Sequence, residues 1–323
     1  MKRILFIATG GTIACVQTEK GLTPKTAGSE LIAQLDGLTD LCDVSAVQLF
    51  NLDSTNMSPH EWTELAVYIQ KNYTDFDGFV IAHGTDTLAY AAAALSCLIQ
   101  SSSKPVIITG SQMPMGVPTS DAPINLRDAF LAACSELCGV AVVFGGRIID
   151  GRCAKKVHTR KHDAFRSINS DDIGAVKDGR VTLFKEFDRE AAPIFFNRMD
   201  TAVSVIKLIP SLDPRILDFA AEYSRAIIIE GFGTGGIPDY GEKEFEQKLS
   251  QLVINGVIVI MHTQVTEGGC DMSLYEVGRV AQKRYGIIET GMMTTEMAAM
   301  KAMWALAYSY GREDMQELFT RSI

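Results

Sequence analysis

Short apolar runs recur along the chain, each stopping at a glycine or a polar cluster. Residues 4–8, 44–49, 78–82, 104–109 and 140–144 have strand length and little alternation, which predicts strands buried on both faces, as in a parallel sheet. Helical spacing fills the gaps. Residues 31–35 suggest a short helix. Ser58-Pro59-His60-Glu61 supplies an N-cap, a proline at the first helical position and a capping-box acid. Trp62, Leu65, Ala66 and Ile69 then recur on one face, and the helix should end near Tyr73. Residues 88–99 and 121–138 read as two more helices. Residues 16–29 are polar, carry Gly21, Pro24 and Gly28 and lack periodicity, so they predict a loop, placed as a lid.

Beyond Arg147 the helical signal fades. Lys177-Asp178-Gly179-Arg180 has the Asp-Gly pair of a tight hairpin. A fresh α/β pattern follows, with strands at 204–209, 225–230 and 257–261 and helices at 213–223 and 241–255. Thr294 or Thr295 should cap a long helix to Tyr308, and residues 312–320 close the chain. The expected fold is α/β: a larger N-terminal parallel-sheet domain with helices on both faces and a smaller C-terminal α/β domain. The boundaries are 1–193, a linker with the first C-terminal strand at 194–212, and 213–323.

Composition narrows the class. The 323 residues are 47% hydrophobic and 21% charged, with a net charge of −9, which fits a globular protein and argues against nucleic acid as a partner. No apolar run approaches the roughly 18–20 residues of a membrane span. The run after Met1-Lys2-Arg3 stops at Ala8, too short for a secretory leader. Seven scattered cysteines, with no CxxC pair and no complementary Cys/His set, read as reduced thiols in a reducing compartment and offer no metal site.

The chemistry concentrates where strands end. Thr12 follows Gly10-Gly11, Asp53-Ser54 follow the second strand, and Thr85-Asp86 follow His83-Gly84. Parallel strands bring such ends to one edge, where ligands sit in open α/β sheets. Thr12 and Thr85 are candidate hydroxyl nucleophiles. Gly11 and Gly84 offer backbone N–H groups for an oxyanion, and Asp86 can hold an ammonium. His83, just past a buried strand, reads as a packed, hydrogen-bonded side chain.

Thr9-Gly10-Gly11-Thr12-Ile13-Ala14 and His83-Gly84-Thr85-Asp86-Thr87, with Gly110-Ser111-Gln112-Met113-Pro114 after them, resemble the motifs of the bacterial-type L-asparaginase family, cytosolic branch, over nearly the whole chain. The resemblance implies hydrolysis of L-asparagine to L-aspartate and ammonia by a cytoplasmic homodimer or homotetramer, without metal or organic cofactor. It makes Thr12 the nucleophile that forms an acyl-enzyme. It places Thr85, Asp86 and Lys156 in a second triad, with Lys155 the adjacent alternative. Asp86 would also bind the substrate α-amino group, Ser54 beside Asp53 its α-carboxylate, and Ser111 would lie near the site. A lysine beside a hydroxyl can act as base when desolvation favours its neutral form.

Two positions depart from the family pattern. Members commonly carry a lid tyrosine bonded to the first threonine; here Leu22 takes its place, and Thr23 or Thr26 becomes the candidate partner of Thr12. A glycine-rich turn that supplies an asparagine to the neighbouring subunit is here Gly231-Phe232-Gly233-Thr234-Gly235-Gly236, with Gly236 in that place. The same turn formally matches a dinucleotide fingerprint, but Pro238 follows and no helix pattern opens there. Rival functions are an amidohydrolase preferring glutamine or D-asparagine, the amide subunit of a tRNA-dependent transamidase, or an amino-acid-binding protein without turnover.

Overall fold

The computed structural model describes residues 1–18, 21–24, 26–238, 244–274 and 286–323. Its contacts divide the chain into two compact units, 1–197 together with Ile323, and 198–322.

In the first unit, β1 (Arg3–Gly10), β2 (Asp43–Leu52), β3 (Gly78–Ala82), β4 (Pro105–Thr109) and β5 (Gly139–Phe144) pair in parallel. Three further strands, β6 (Arg147–Asp150), β7 (Gly174–Lys177) and β8 (Arg180–Leu183), extend one edge antiparallel. The spatial order is β8-β7-β6-β5-β4-β3-β1-β2. The parallel sheet expected from the pattern is present, and the antiparallel edge is an addition to it. Strand β6 escapes a reading by hydrophobic pattern because it is four residues long. Gly145 and Gly146, with φ of +58° and +77°, turn the chain back tightly onto β5. Asp178 and Gly179 make the corresponding turn between β7 and β8 at φ +50° and +72°, as the Asp-Gly pair predicts.

The buried runs of β1 and β3 serve two faces. Ile4, Phe6 and Ala8 pack with Leu31 of α1 (Gly28–Ala33) and with Leu126, Ala129 and Phe130 of α4 (Ala122–Ala133). Leu5, Ile7 and Phe79 point to the opposite face and are equally buried. Phe79 stacks there on Tyr73, at the end of α2 (Pro59–Asn72), with ring centroids 5.9 Å apart. The Ser58–Glu61 capping box forms, and Trp62, Leu65, Ala66 and Ile69 are buried. Helix α3 (Leu88–Leu98) is buried on nearly every side, as its alanines permit.

Two expectations fail in detail. Residues 16–18 and 21–24, expected as loop, belong to two strands, 15–18 and 21–24, that pair antiparallel. Their partner hydrogen bonds are a backbone property that leaves no hydrophobic period. Helix α4 stops at Ala133 rather than near 138. The Ser135 hydroxyl bonds the Ala132 carbonyl and accepts from the Leu137 N–H, which offers the backbone an alternative to continuing the helix.

The second unit holds a four-stranded parallel sheet, β9 (Val203–Lys207), β10 (Ala226–Gly231), β11 (Ile258–Thr263) and β12 (Ile288–Glu289), in that spatial order. Helices α5 (Ile216–Tyr223) and α6 (Glu244–Ile254) pack apolar faces on its core. The expected start of α6 at 241 lies outside the described residues. Thr294 is the N-cap of α7 (Thr295–Tyr308), its hydroxyl accepting from the Met297 N–H, and α8 (Arg312–Thr320) follows.

Candidate active site

Strands β4, β3, β1 and β2 are consecutive neighbours, so the polar clusters beyond their carboxyl ends meet on one edge. Gly11 makes the closest approach possible. Its φ is +75°, and a Cβ there would lie 2.3 Å from both the nitrogen and the Cα of Gly84. A Cβ on Gly84 would in turn lie 2.6 Å from Ser54 Oγ. The absence of two side chains therefore lets the ends of β1, β3 and β2 touch.

Thr12 opens a single helical turn, Thr12–Ala14, immediately after Gly11. It is half-buried, and among the described residues nothing hydrogen-bonds its hydroxyl. The expected oxyanion donor at Gly11 is corrected: its N–H donates to the Leu52 carbonyl at 2.9 Å, because Gly11 still continues the pairing of β1 with β2. The Gly84 and Thr85 N–H groups have no partner among the described residues. The side chains of Leu22 and Thr23 lie outside the described residues. Thr26 donates its N–H to the Ala14 carbonyl at 3.0 Å, which ties the chain after the hairpin to the turn that carries Thr12.

Ser54 is 3% exposed and sits in a turn capped by Asp53, whose Oδ1 accepts from both the N–H and the hydroxyl of Thr55 at 2.9 Å. Asp53 is thus occupied in shaping the turn. Thr87 donates to the Ser54 carbonyl at 2.7 Å, linking this turn to the one after β3.

Thr85, Asp86 and Lys156 are brought together although 70 positions separate Asp86 from the lysine. Lys156 Nζ lies 2.9 Å from Thr85 Oγ1 and 2.7 Å from Asp86 Oδ1. Thr85 is buried, whereas the Asp86 side chain is 60% exposed and that of Lys156 18%. The choice between the paired lysines follows from strand geometry. Residues 154–156 pair antiparallel with 165–167, and Lys156 lies opposite buried Phe165. Alternation sends Lys155 to the other face.

Ser111 is fully buried, and its hydroxyl donates to the Met113 carbonyl at 2.5 Å. The neighbouring Gln112, which carries no role in the motif reading, makes the contact with the site: its Oε1 accepts from the Thr85 hydroxyl at 3.3 Å. Its Nε2 donates to the Lys161 carbonyl at 3.1 Å, and its N–H to the buried Asp121 carboxylate at 3.0 Å. Its position next to Ser111 beyond the end of β4 was the available signal. His83 is 0% exposed. Burial pushes its pKa down to about 4, against the opposing hydrogen bond to Gly84, so the ring favours its neutral form, and its burial fits a packed, hydrogen-bonded side chain. A cavity of about 710 Å³ lined by Asp213, Arg215 and Lys248 belongs to the second unit and holds none of these groups.

Hydroxyls, a lysine–carboxylate pair and N–H donors gather at the carboxyl edge of a parallel sheet, which defines an α/β protein with a polar candidate site where such sheets bind ligands. Comparison with known proteins specifies it further. The Asparaginase, N-terminal, family matches residues 3–189, and the Glutaminase/Asparaginase C-terminal domain matches 202–319; the chain belongs to the asparaginase family. The L-asparaginase of Thermococcus kodakarensis is 37% identical over 99% of this chain and 98% of its own length. The solved structure of a thermostable L-asparaginase from that organism superposes with a TM-score of 0.91, covering 99% of this chain and 97% of that one. L-asparaginase I from Vibrio cholerae is 27% identical with a TM-score of 0.88, over 100% of this chain and 98% of that one. One component of the glutamyl-tRNA(Gln) amidotransferase of Pyrococcus abyssi is 31% identical over 98% of this chain and 75% of its own length.

Proposed function

We propose that the chain hydrolyses L-asparagine to L-aspartate and ammonia through an acyl-enzyme on Thr12. The observation that carries this reading is the Lys156 amine within hydrogen-bond reach of both Thr85 Oγ1 and Asp86 Oδ1, on the same sheet edge as the Thr12 hydroxyl. The Ser54 hydroxyl receives the substrate α-carboxylate and Asp86 its α-ammonium, which leaves the side-chain amide between Thr12 and Thr85. Thr12 Oγ1 attacks the amide carbon, and the proton its hydroxyl gives up passes to the amide nitrogen. The negative oxygen that develops is met by the Gly84 and Thr85 N–H groups, two donors without partners among the described residues. Ammonia leaves on collapse of this intermediate, and water then cleaves the ester on Thr12. The substrate ammonium competes with Lys156 for Asp86, and a lysine that gives up its own proton as that pair breaks can then take the proton of Thr85 or of the attacking water. The reaction so written uses protein side chains alone.

The assembly we propose is a cytoplasmic homodimer or homotetramer, with no metal or organic cofactor and no nucleic-acid partner. The seven cysteines are free thiols, and among the described residues no helix is long and apolar enough to cross a membrane. Gly236 stands where the family supplies an asparagine to a neighbour, and the backbone closes tightly around it. Its N–H and carbonyl both bond Phe232, at 2.6 and 2.8 Å.

A second reading, the amide subunit of a transamidase, draws on the amidotransferase relatives. The chain spans about three-quarters of the Pyrococcus abyssi protein, and its charge of −9 does not favour RNA. Ammonia release from L-asparagine, L-glutamine and D-asparagine, with Thr12→Ala as control, separates the possibilities. Release from L-asparagine that the variant abolishes is expected. Release from glutamine alone would keep the mechanism and change the substrate. Aspartate binding without release from any amide would make the chain a binding protein.

A further inference from the structure

We propose that His83 is a positioning residue that sets the Gly84–Thr85 peptide for the reaction. The inference rests on the amide-hydrolase reading above. Among the described residues the His83 imidazole makes one hydrogen bond, from Nδ1 to the carbonyl oxygen of the next residue, Gly84, at 2.7 Å. A carbonyl oxygen only accepts, so Nδ1 carries the proton and Nε2 the lone pair. That Nε2 is buried without a partner among the described residues. An apolar residue could fill the same space without burying an orphan acceptor, so packing alone does not account for an imidazole here.

The surroundings show what the ring supplies. The backbone of His83 is already fixed. Its N–H donates to the Thr109 carbonyl at 2.8 Å, and its own carbonyl oxygen lies 2.3 Å from where a Cβ of Gly110 would stand. The next residue has no such restraint. Gly84 must lack a side chain because Gly11 and Ser54 press on it, and a glycine without a Cβ is free to rotate. The imidazole takes the place of the missing restraint by holding the Gly84 oxygen. In a trans peptide the C=O and N–H point in opposite directions. Drawing the Gly84 oxygen onto the buried ring therefore turns the Thr85 N–H the other way, toward the site. It also fixes the starting point of the Thr85 side chain, whose hydroxyl must meet Lys156 at 2.9 Å.

Two isosteric substitutions separate this role from packing. Asparagine places an amide N–H near the position of Nδ1, and glutamine places one near Nε2. His83→Asn should keep kcat within about threefold of the parent. His83→Gln and His83→Ala should lose about thirtyfold or more in kcat, with KM for asparagine changed less than threefold, because Ser54 in the turn after β2 still holds the α-carboxylate. A glutamine variant as active as the asparagine one, or an alanine variant with parental kcat, overturns the proposal. If the alanine variant does not fold, the asparagine–glutamine pair decides. Neutron diffraction of the unaltered protein reads the tautomer directly. Deuterium on Nδ1 is expected, and deuterium on Nε2 sinks the idea. That measurement stands even if the protein releases ammonia from no amide, an outcome that would overturn the functional reading alone.

Discussion

Lys156 is the residue on which the proposed chemistry turns, because its amine joins Thr85 to Asp86. Lys156→Met keeps the length of the side chain and removes the amine. It should lower kcat for asparagine by about 10²–10⁴, the range for loss of a positioned acid–base group, and leave the thermal midpoint nearly unchanged. Steady-state ammonia release and a melting curve check both parts, and a variant within tenfold of parental kcat would remove Lys156 from the mechanism. His83 gives a prediction about pH. Its folded pKa, about 4, lies below the ordinary value near 6.5 because burial disfavours the cation. The unfolded chain therefore binds a proton first. The stability it contributes is complete above about pH 6.5 and falls as pH drops toward 4, by up to about 3 kcal/mol. Urea midpoints at pH 7 and pH 4.5 should fall further in the parent than in His83→Asn; equal falls would refute the assignment. The candidate hydroxyls and carboxylate could be read from the sequence because each follows a strand. Gln112 was marked only by its place beside Ser111 beyond a strand end, and its role stays open until Thr85 lies beside it.

At the scale of elements, the turn after β1 makes a very close contact in the site. Gly11→Ala would place a Cβ against Gly84 at a φ of +75°, costing about 2 kcal/mol or more in stability. Activity should fall as well, through the displaced Thr12. Chemical denaturation with the ammonia assay tests it, and an alanine variant of parental stability would mean that the two turns do not touch. Helix α4 carries a different burden. Asp128 is 8% exposed, and burial raises its pKa to about 6, with Arg127 opposing. A carboxyl whose folded pKa lies above its unfolded value adds stability fully below about pH 4 and loses it as pH rises through 6. Asp128→Asn should therefore stabilise the protein by about 1–3 kcal/mol at pH 8 and by little at pH 4. Urea melts at both values test the sign, and equal effects at the two pH values would sink it. Long buried strands and capped helices were legible as elements because their apolar positions repeat. The four-residue strand β6, the paired segments at 15–18 and 21–24 and the early end of α4 were not, because backbone and hydroxyl hydrogen bonds decide them.

For the molecule as a whole, each unit has its own sheet and buried core, and the proposed function expects more than one chain per working enzyme. Light scattering at assay concentration should therefore give two or four times the mass of one chain. Full activity from a species of single-chain mass would remove the neighbouring subunit from the reaction. It would also fit Gly236, which has no side chain to lend.

The order of residues was enough to set the class of fold and the edge on which the chemistry lies. Buried strands of a parallel sheet must be apolar throughout, their connections must carry helices, and polar residues can gather only where strands end. It was enough, too, to put Thr12, Ser54, Thr85 and Asp86 on that edge, since parallel strands leave no other arrangement. Folding in three dimensions was needed to choose between Lys155 and Lys156, because a two-strand pairing 70 positions beyond Asp86 sets which amine faces inward. It was needed as well to show that Gly11 spends its N–H on Leu52, that Asp53 caps its own turn and that the His83 ring holds the peptide before Thr85. Those outcomes depend on which backbone group lies within about 3 Å of which side chain, a relation set by packing between distant segments and not by their sequence.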